Sequence, residues 1–208
     1  MTTSPSILAI RLGLRAAAHL RYHLRVRGLE HVPRAGAAVL VANHVTYADS
    51  LVLAGILSRP PRFLVYHALY EQPALKWFFR KVRAIPIASR REDPERLEVA
   101  LREAVRALQD GELLGVFPEG QLTRTGDIGP FRAGVEQILA EAPAPVVPIA
   151  LRGLWGSVLS HAGGPPFSRL PSPRRRTIDV TFGPPLRPEG LTASALERIV
   201  REMRGDGR

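Results

Sequence analysis

The sequence predicts an α/β fold: a single domain built on one mostly parallel or mixed β-sheet flanked by helices, with an N-terminal amphipathic helix. Three observations predict it. A chain of 208 residues that is 45 % hydrophobic, with no repetitive or Gly/Ser-rich segment, is long enough to bury one full core. Four short apolar runs have the length and β-branched content of buried strands: "AAVLVAN" (37–43), "RAIPIAS" (83–89), "ELLGVFP" (112–118) and "PVVPIALRG" (145–153). Stretches with helical spacing separate them, and strands alternating with helices argue for a mostly parallel sheet between helical layers.

The elements follow in order. Residues 1–24 form the N-terminal helix, apolar but interrupted by Arg11, Arg15 and Arg21; counted together with Arg25, these arginines fall within an arc of about 120° at roughly 100° per residue. Such a helix either lies on an anionic membrane surface or packs on the domain with a solvated basic edge. Residues 25–208 form the remaining domain. "HLRVRGLE" alternates as an edge strand would, and the first buried run follows it. Helical spacing covers Tyr47 to Leu57, Pro73 to Phe79, Pro94 to Leu108 and Arg132 to Leu139. The proline-rich stretch 161–176 is a loop carrying a solvent-exposed cluster, Arg174, Arg175 and Arg176. "RTIDVTFGPPL" alternates as a second edge strand, and a final amphipathic helix from Thr192 to Met203 is capped by Thr192 or Ser194.

Charge and composition narrow the chemistry. The net charge is +10 and lysine occurs only at positions 76 and 81, so the basic surface is arginine. It attracts anions of any kind, from lipid headgroups to nucleic acid. Cysteine is absent, which excludes disulfides, thiolate nucleophiles and cysteine-based zinc sites. No run reaches the ~18 uninterrupted apolar residues of a membrane span. An aromatic fraction of 6 % and no groove-reading or stacking motif argue against nucleic-acid binding, the reading from another class that the charge alone would allow.

"VLVANHVTYADS" (39–50) ends a buried run with a histidine and an aspartate five positions apart. A helix starting near Thr46 puts His44 just before it and Asp49 in its first turn, so the carboxylate folds back toward the imidazole. A carboxylate on one ring nitrogen leaves the other free to take a proton. Without a serine or cysteine nucleophile beside it, the pair suits general-base activation of a substrate hydroxyl. No third ligand has matching spacing, so no metal site is expected. Alone, the pair reads as a polar turn. A second motif changes that reading: "FPEG" (117–120) closes another buried run, and Arg124, Gly126, Gly129 and Arg132 follow with flexible backbone and two guanidinium groups for an anion. Both motifs sit at strand carboxyl ends, where ligands bind in open α/β sheets.

In this order the blocks resemble the glycerophospholipid acyltransferases typified by bacterial 1-acylglycerol-3-phosphate acyltransferase. "NHVTYAD", "AIPIASR" ending at Arg90, "FPEGQLTR" and "VVPIAL" around Pro148 stand for that family's ordered motifs, over about residues 25 to 185. The resemblance implies that residues 25–208 are an acyltransferase domain. It implies transfer of a fatty acyl group from acyl-CoA or acyl-acyl carrier protein to the free hydroxyl of a lysophospholipid, 1-acylglycerol-3-phosphate giving phosphatidate. His44 would be the general base and Asp49 its orienting partner, with no acyl-enzyme. Arg90, Glu119, Gly120 and Arg124 would line the acceptor site, and Pro148 would shape the pocket wall or the acyl-binding side. No cofactor is expected beyond the acyl donor as co-substrate. The expected location is cytoplasmic, peripheral on the inner face of the cell membrane, with the membrane surface as a partner through the N-terminal helix and basic patches.

Two departures bear on the acceptor. Ser89 stands where the central block has an acidic residue, so Lys81 or Arg83 would share the role of Arg90. "EGQLTR" carries two residues more than the family's Glu-Gly-Thr-Arg. That longer form is similar to the acyltransferase domain of proteins that acylate 2-acylglycerophosphoethanolamine, which makes lysophosphatidylethanolamine or another lysolipid the alternative acceptor.

Overall fold

In the computed structural model, which describes residues 5–166, 168 and 175–205, the run Ala38–Ala42 (β2) is buried at every position. A strand covered on both faces reads as a continuous apolar stretch, which is why this one was legible. Around it the described residues form a seven-stranded sheet in the order β1-β7-β6-β2-β5-β3-β4. The strands are Tyr22–Arg27 (β1), Ala38–Ala42 (β2), Pro61–Tyr66 (β3), Ile85–Ile87 (β4), Leu113–Val116 (β5), Val146–Arg152 (β6) and Arg176–Phe182 (β7). Neighbouring strands pair in parallel except β6 with β7, which are antiparallel.

Helices cover both faces. Pro94–Gln109 (α5), Gly134–Glu141 (α6) and Ala193–Arg204 (α7) bury Leu101, Val105, Ile138, Leu196 and Val200 against Val39, Val41 and Val116. On the opposite face Ala48–Ile56 (α2) sets Val52 and Leu53 on Leu40, Val147 and Ile149. Each such side chain contributes about 1.5–3 kcal/mol when fully buried. Helix α5 starts where Asp93 accepts the amide of Arg96 at 2.9 Å, and Thr192 does the same for α7 from Ala195 at 3.2 Å.

The N-terminal helix, Pro5–Arg21 (α1), packs on α2. Gly55 permits the approach: a Cβ there would lie 3.1 Å from the backbone nitrogen of Arg15. The chain turns into β1 at Tyr22, so the expected boundary at residue 24 falls inside a strand, and Arg25 leaves the helical arc for the sheet. Leu8, Leu12 and Leu20 remain exposed on α1. Among the described residues no helix is long and apolar enough to cross a membrane.

Several expectations are corrected. Strand β3 and the short helix His67–Tyr70 (α3) were not foreseen: β3 opens on Pro61 and Arg62, which mask its apolar centre. Strand β7 lies inside the sheet, between β1 and β6, and is not an edge. Its alternation arises because Ile178, Val180 and Phe182 are buried on one face while Asp179 and Thr181 on the other are only half covered. Arg174 lies outside the described residues. Arg175 is exposed, whereas Arg176 is half-buried and donates to the carbonyl of Trp155 at 2.5 Å. In Pro73–Lys81 (α4), Trp77 is 68 % exposed and takes no part in the core.

Candidate active site

Strand β2 runs out at Ala42, and the next residue fixes the strand end. Asn43, buried, donates its amide to the carbonyl of Leu151 at 3.0 Å and accepts the Leu151 N–H at 2.8 Å. It thereby clasps β6 to β2 immediately before His44.

The His44 ring is held on its edge and on one face. Its Nδ1 lies 2.9 Å from Oδ2 of Asp49, which is fully buried in the first turn of α2. The same oxygen accepts the backbone N–H groups of Val45 at 2.6 Å and Thr46 at 2.9 Å, and Oδ1 accepts the Thr46 hydroxyl at 2.9 Å. A carboxylate with this many donors is an acceptor only, so Nδ1 carries the hydrogen and Nε2 is left with its lone pair. The helix N-terminus further favours the negative charge. Phe117 stacks on the ring at 4.1 Å between centroids and 15° between planes.

The FPEG turn holds the His44 backbone. Glu119, 4 % exposed, accepts the His44 N–H on Oε1 at 2.7 Å and the Gly129 N–H on Oε2 at 2.8 Å. Thr123 donates its N–H to the His44 carbonyl at 3.0 Å. Burial pushes the Glu119 carboxyl above its ordinary value, the two N–H bonds opposing that rise in part. Gly120 turns the chain at φ 67°, and a Cβ there would come within 3.0 Å of Nε of Arg132. The strain and the crowding both require glycine.

His44, Asp49 and Glu119 are thus in one hydrogen-bonded unit, with Gly120 beside it. Both Glu119 oxygens are engaged by backbone N–H groups, so this side chain ties the FPEG turn to His44 and to Gly129. Arg124 is exposed on the same loop, one residue past Thr123. Arg90 stands apart, on the loop after β4, 66 % exposed and 3.9 Å from Glu98. Because β2, β5, β3 and β4 are parallel, all these loops leave the same end of the sheet. Lys81 and Arg83 do not: they precede β4, and Arg83 pairs with Glu112, which precedes β5, at the opposite end. Pro148 is buried in β6, close against Gly183.

Four further residues belong to this constellation, and none was assigned a role from sequence: Asn43, Thr46, Phe117 and Thr123. The signal for the first was a polar residue closing a wholly apolar strand. His67 also has a partner that its sequence neighbourhood did not suggest. Its Nε2 lies 2.9 Å from Oε1 of Glu92, which accepts the Tyr66 hydroxyl at 2.6 Å. The Tyr66 bond first, and His67 next, hold the Glu92 carboxyl below its ordinary value. Among the described residues no cluster of three or more His, Asp or Glu side chains converges as a metal site.

The chain is similar to known proteins in sequence and in fold. The chain is similar to the 1-acyl-sn-glycerol-3-phosphate acyltransferase of Bacillus subtilis, 27 % identical over 67 % of this chain and 68 % of that one. It is also similar to the chloroplastic 1-acyl-sn-glycerol-3-phosphate acyltransferase of Brassica napus, at 29 % identity over 64 % of this chain; the match spans 38 % of that longer protein. Its fold matches the crystal structure of the 1-acyl-sn-glycerophosphate acyltransferase PlsC of Thermotoga maritima with a TM-score of 0.74 and 21 % identity, covering 95 % of this chain and 78 % of that one. The family model described as Acyltransferase matches residues 23–152, which contain both the His44–Asp49 pair and the FPEG turn. The chain belongs to the Acyltransferase family.

Proposed function

We propose that the protein transfers a fatty acyl group from acyl-CoA or acyl-acyl carrier protein to the free hydroxyl of 1-acylglycerol-3-phosphate, giving phosphatidate. The observation that carries this reading is the His44 ring, whose Nδ1 is committed to buried Asp49 and whose Nε2 keeps its lone pair. Nε2 takes the hydroxyl proton as the oxygen attacks the thioester carbonyl. The tetrahedral intermediate then collapses, the C–S bond breaks, and the imidazolium returns its proton to the departing thiolate. Asp49 stabilises the imidazolium, and no acyl-enzyme forms. Glu119 and Thr123 position His44 through its backbone. Arg124 and Arg90 meet the acceptor phosphate, since guanidinium groups bind phosphate through paired N–H donors.

The names of the relatives favour lysophosphatidate as acceptor. The two additional residues before Thr123 favour the second reading, a lysophosphatidylethanolamine acceptor. Acyl transfer from palmitoyl-CoA, run with each lysolipid in detergent micelles, separates them. Lysophosphatidate is expected to be acylated in preference, and preference for the ethanolamine lipid would replace the first reading with the second. Arg124→Ala is expected to raise KM for lysophosphatidate about tenfold or more while leaving KM for palmitoyl-CoA within about twofold. Equal changes in both would remove the phosphate contact.

The place of action in this reading is the inner face of the cell membrane. Exposed Leu8 and Leu12 on α1, together with Trp77 between Lys76 and Arg80 on α4, support it. Apolar side chains ringed by cations suit an anionic interface. An apolar crevice between these helices, lined by Ile10, Leu14, Leu51, Phe63 and Phe79, gives an acyl chain a path of matching polarity.

A further inference from the structure

Helix α7 packs on β6, and beyond it the sheet continues through β7 and β1 with a polar face. The strand register fixes what that face carries. Arg25 of β1 stands beside Asp179 of β7, which stands beside Arg152 of β6. In the next row Arg27 stands beside Thr181, which stands beside Ala150. With Arg204 of α7 as a wall, these residues line a cleft of about 340 Å³, and the short side chain of Ala150 leaves its floor open. Small-molecule sites run from ~300 to 1,000 Å³, so the cleft is large enough for a ligand of several groups.

Its positive charge is in excess: four arginines line it against Asp179, and only Arg204 has a further carboxylate nearby, Asp127 at 4.0 Å. Arg25, Arg27 and Arg152 make no ion pair or hydrogen bond with a described residue, and Asp179 is the single carboxylate lining the cleft. Cations crowded in one concavity repel one another, and an anion with several phosphate oxygens relieves that repulsion while using the guanidinium forks. The cleft is also tied to the active site at two points. Arg152 directly follows Leu151, whose backbone Asn43 clasps beside His44. Arg204 donates to the carbonyl of Gly126 at 2.7 Å, in the loop that runs on from Glu119 and Thr123.

We infer that this cleft is an anion site for the phosphorylated nucleotide end of a coenzyme A thioester, holding the donor by the end remote from its reacting carbonyl. The inference rests on the proposed acyl transfer and narrows its donor to acyl-CoA. Asp179 opposes the anion and sets the affinity below what the arginines alone would give.

Calorimetry with adenosine 3′,5′-bisphosphate tests the site without turnover. Binding is expected for the wild type, weakened about tenfold or more in the Arg25→Gln/Arg152→Gln double variant and strengthened in Asp179→Asn. Kinetics then distinguish nucleotide recognition from a structural role. The double variant should raise KM for palmitoyl-CoA about tenfold, with kcat/KM unchanged for S-palmitoyl pantetheine, which lacks the nucleotide. No binding by the wild type, equal binding by the double variant, or equal loss with both thioesters would each overturn the inference. So would a double variant that loses binding to phosphatidylglycerol vesicles yet keeps the nucleotide, which would make the cleft a headgroup site. A wild type that binds the nucleotide but acylates no lysolipid would contradict the proposed acyl transfer and leave the anion site standing.

Discussion

His44→Ala leaves the chain folded and lowers turnover about 10² to 10⁴-fold, the contribution of a positioned general base. The fold survives because the variant removes little that the core relies on. Asp49 loses one partner but keeps the N–H groups of Val45 and Thr46 and the Thr46 hydroxyl, so no buried charge is left bare. The imidazole is itself 19 % exposed, so the space it leaves opens to solvent. The measurement is acyl transfer at saturating donor and acceptor, with thermal melting by circular dichroism as the check on folding. A variant that melts like the wild type and keeps full turnover would remove His44 from the chemistry.

Glu119→Gln is expected to lower both stability and turnover, although it changes one atom. The two carboxylate oxygens accept N–H groups from separate segments, His44 and Gly129. A glutamine offers one acceptor there and turns an NH₂ group toward the other N–H. One buried donor then goes unsatisfied, at a cost of about 1–3 kcal/mol. If the lost bond is the one to His44, the ring shifts, and misplacement on the order of 1 Å can cost about 10²-fold in rate. The pH dependence of stability gives a separate readout. Burial, working against the two N–H bonds, raises the folded-state value of Glu119 above its ordinary 4.5. Between 4.5 and that raised value the folded state binds the proton that the unfolded state has released. The Glu119 contribution to stability therefore falls as pH rises through that window. Urea midpoints across it should show this component in the wild type and lack it in the glutamine variant. A glutamine variant as stable and as active as the wild type would mean that the clamp on His44 is dispensable.

Sequence patterning disclosed what depends on local order and missed what depends on crossing strands. The buried strands β2, β5 and β6 and the helices α2, α5 and α7 follow from apolar periodicity and capping residues, which are local properties. His44 and Asp49 were readable for the same reason, because strand end, turn and helix start lie within eight residues of one another. The structure also sets Glu119 on the backbone of a residue 75 positions away, and no spacing rule reports that. Its place in the turn reads, in sequence, the same as that of a carboxylate facing substrate. Strand β7 illustrates a different limit. A strand with one bare face alternates as an edge strand does, so its interior position, and with it the row Arg25–Asp179–Arg152, appears only once the register is known. Lys81 and Arg83 illustrate a third. Adjacency to the Arg90 block suggested a shared role, but a strand separates them from it, and a strand carries its two ends to opposite sides of a sheet.

The central claim is that His44, oriented by Asp49, takes the proton from the acceptor hydroxyl. Its most direct test is the pH–rate profile of acyl transfer to lysophosphatidate for the wild type, and for His44→Ala with and without added imidazole. The wild-type rate should rise with pH as an imidazole gives up its proton. The variant should lack that rise, and free imidazole should restore turnover in proportion to its neutral form. A variant that keeps the wild-type profile, and gains nothing from imidazole, would contradict the role assigned to His44.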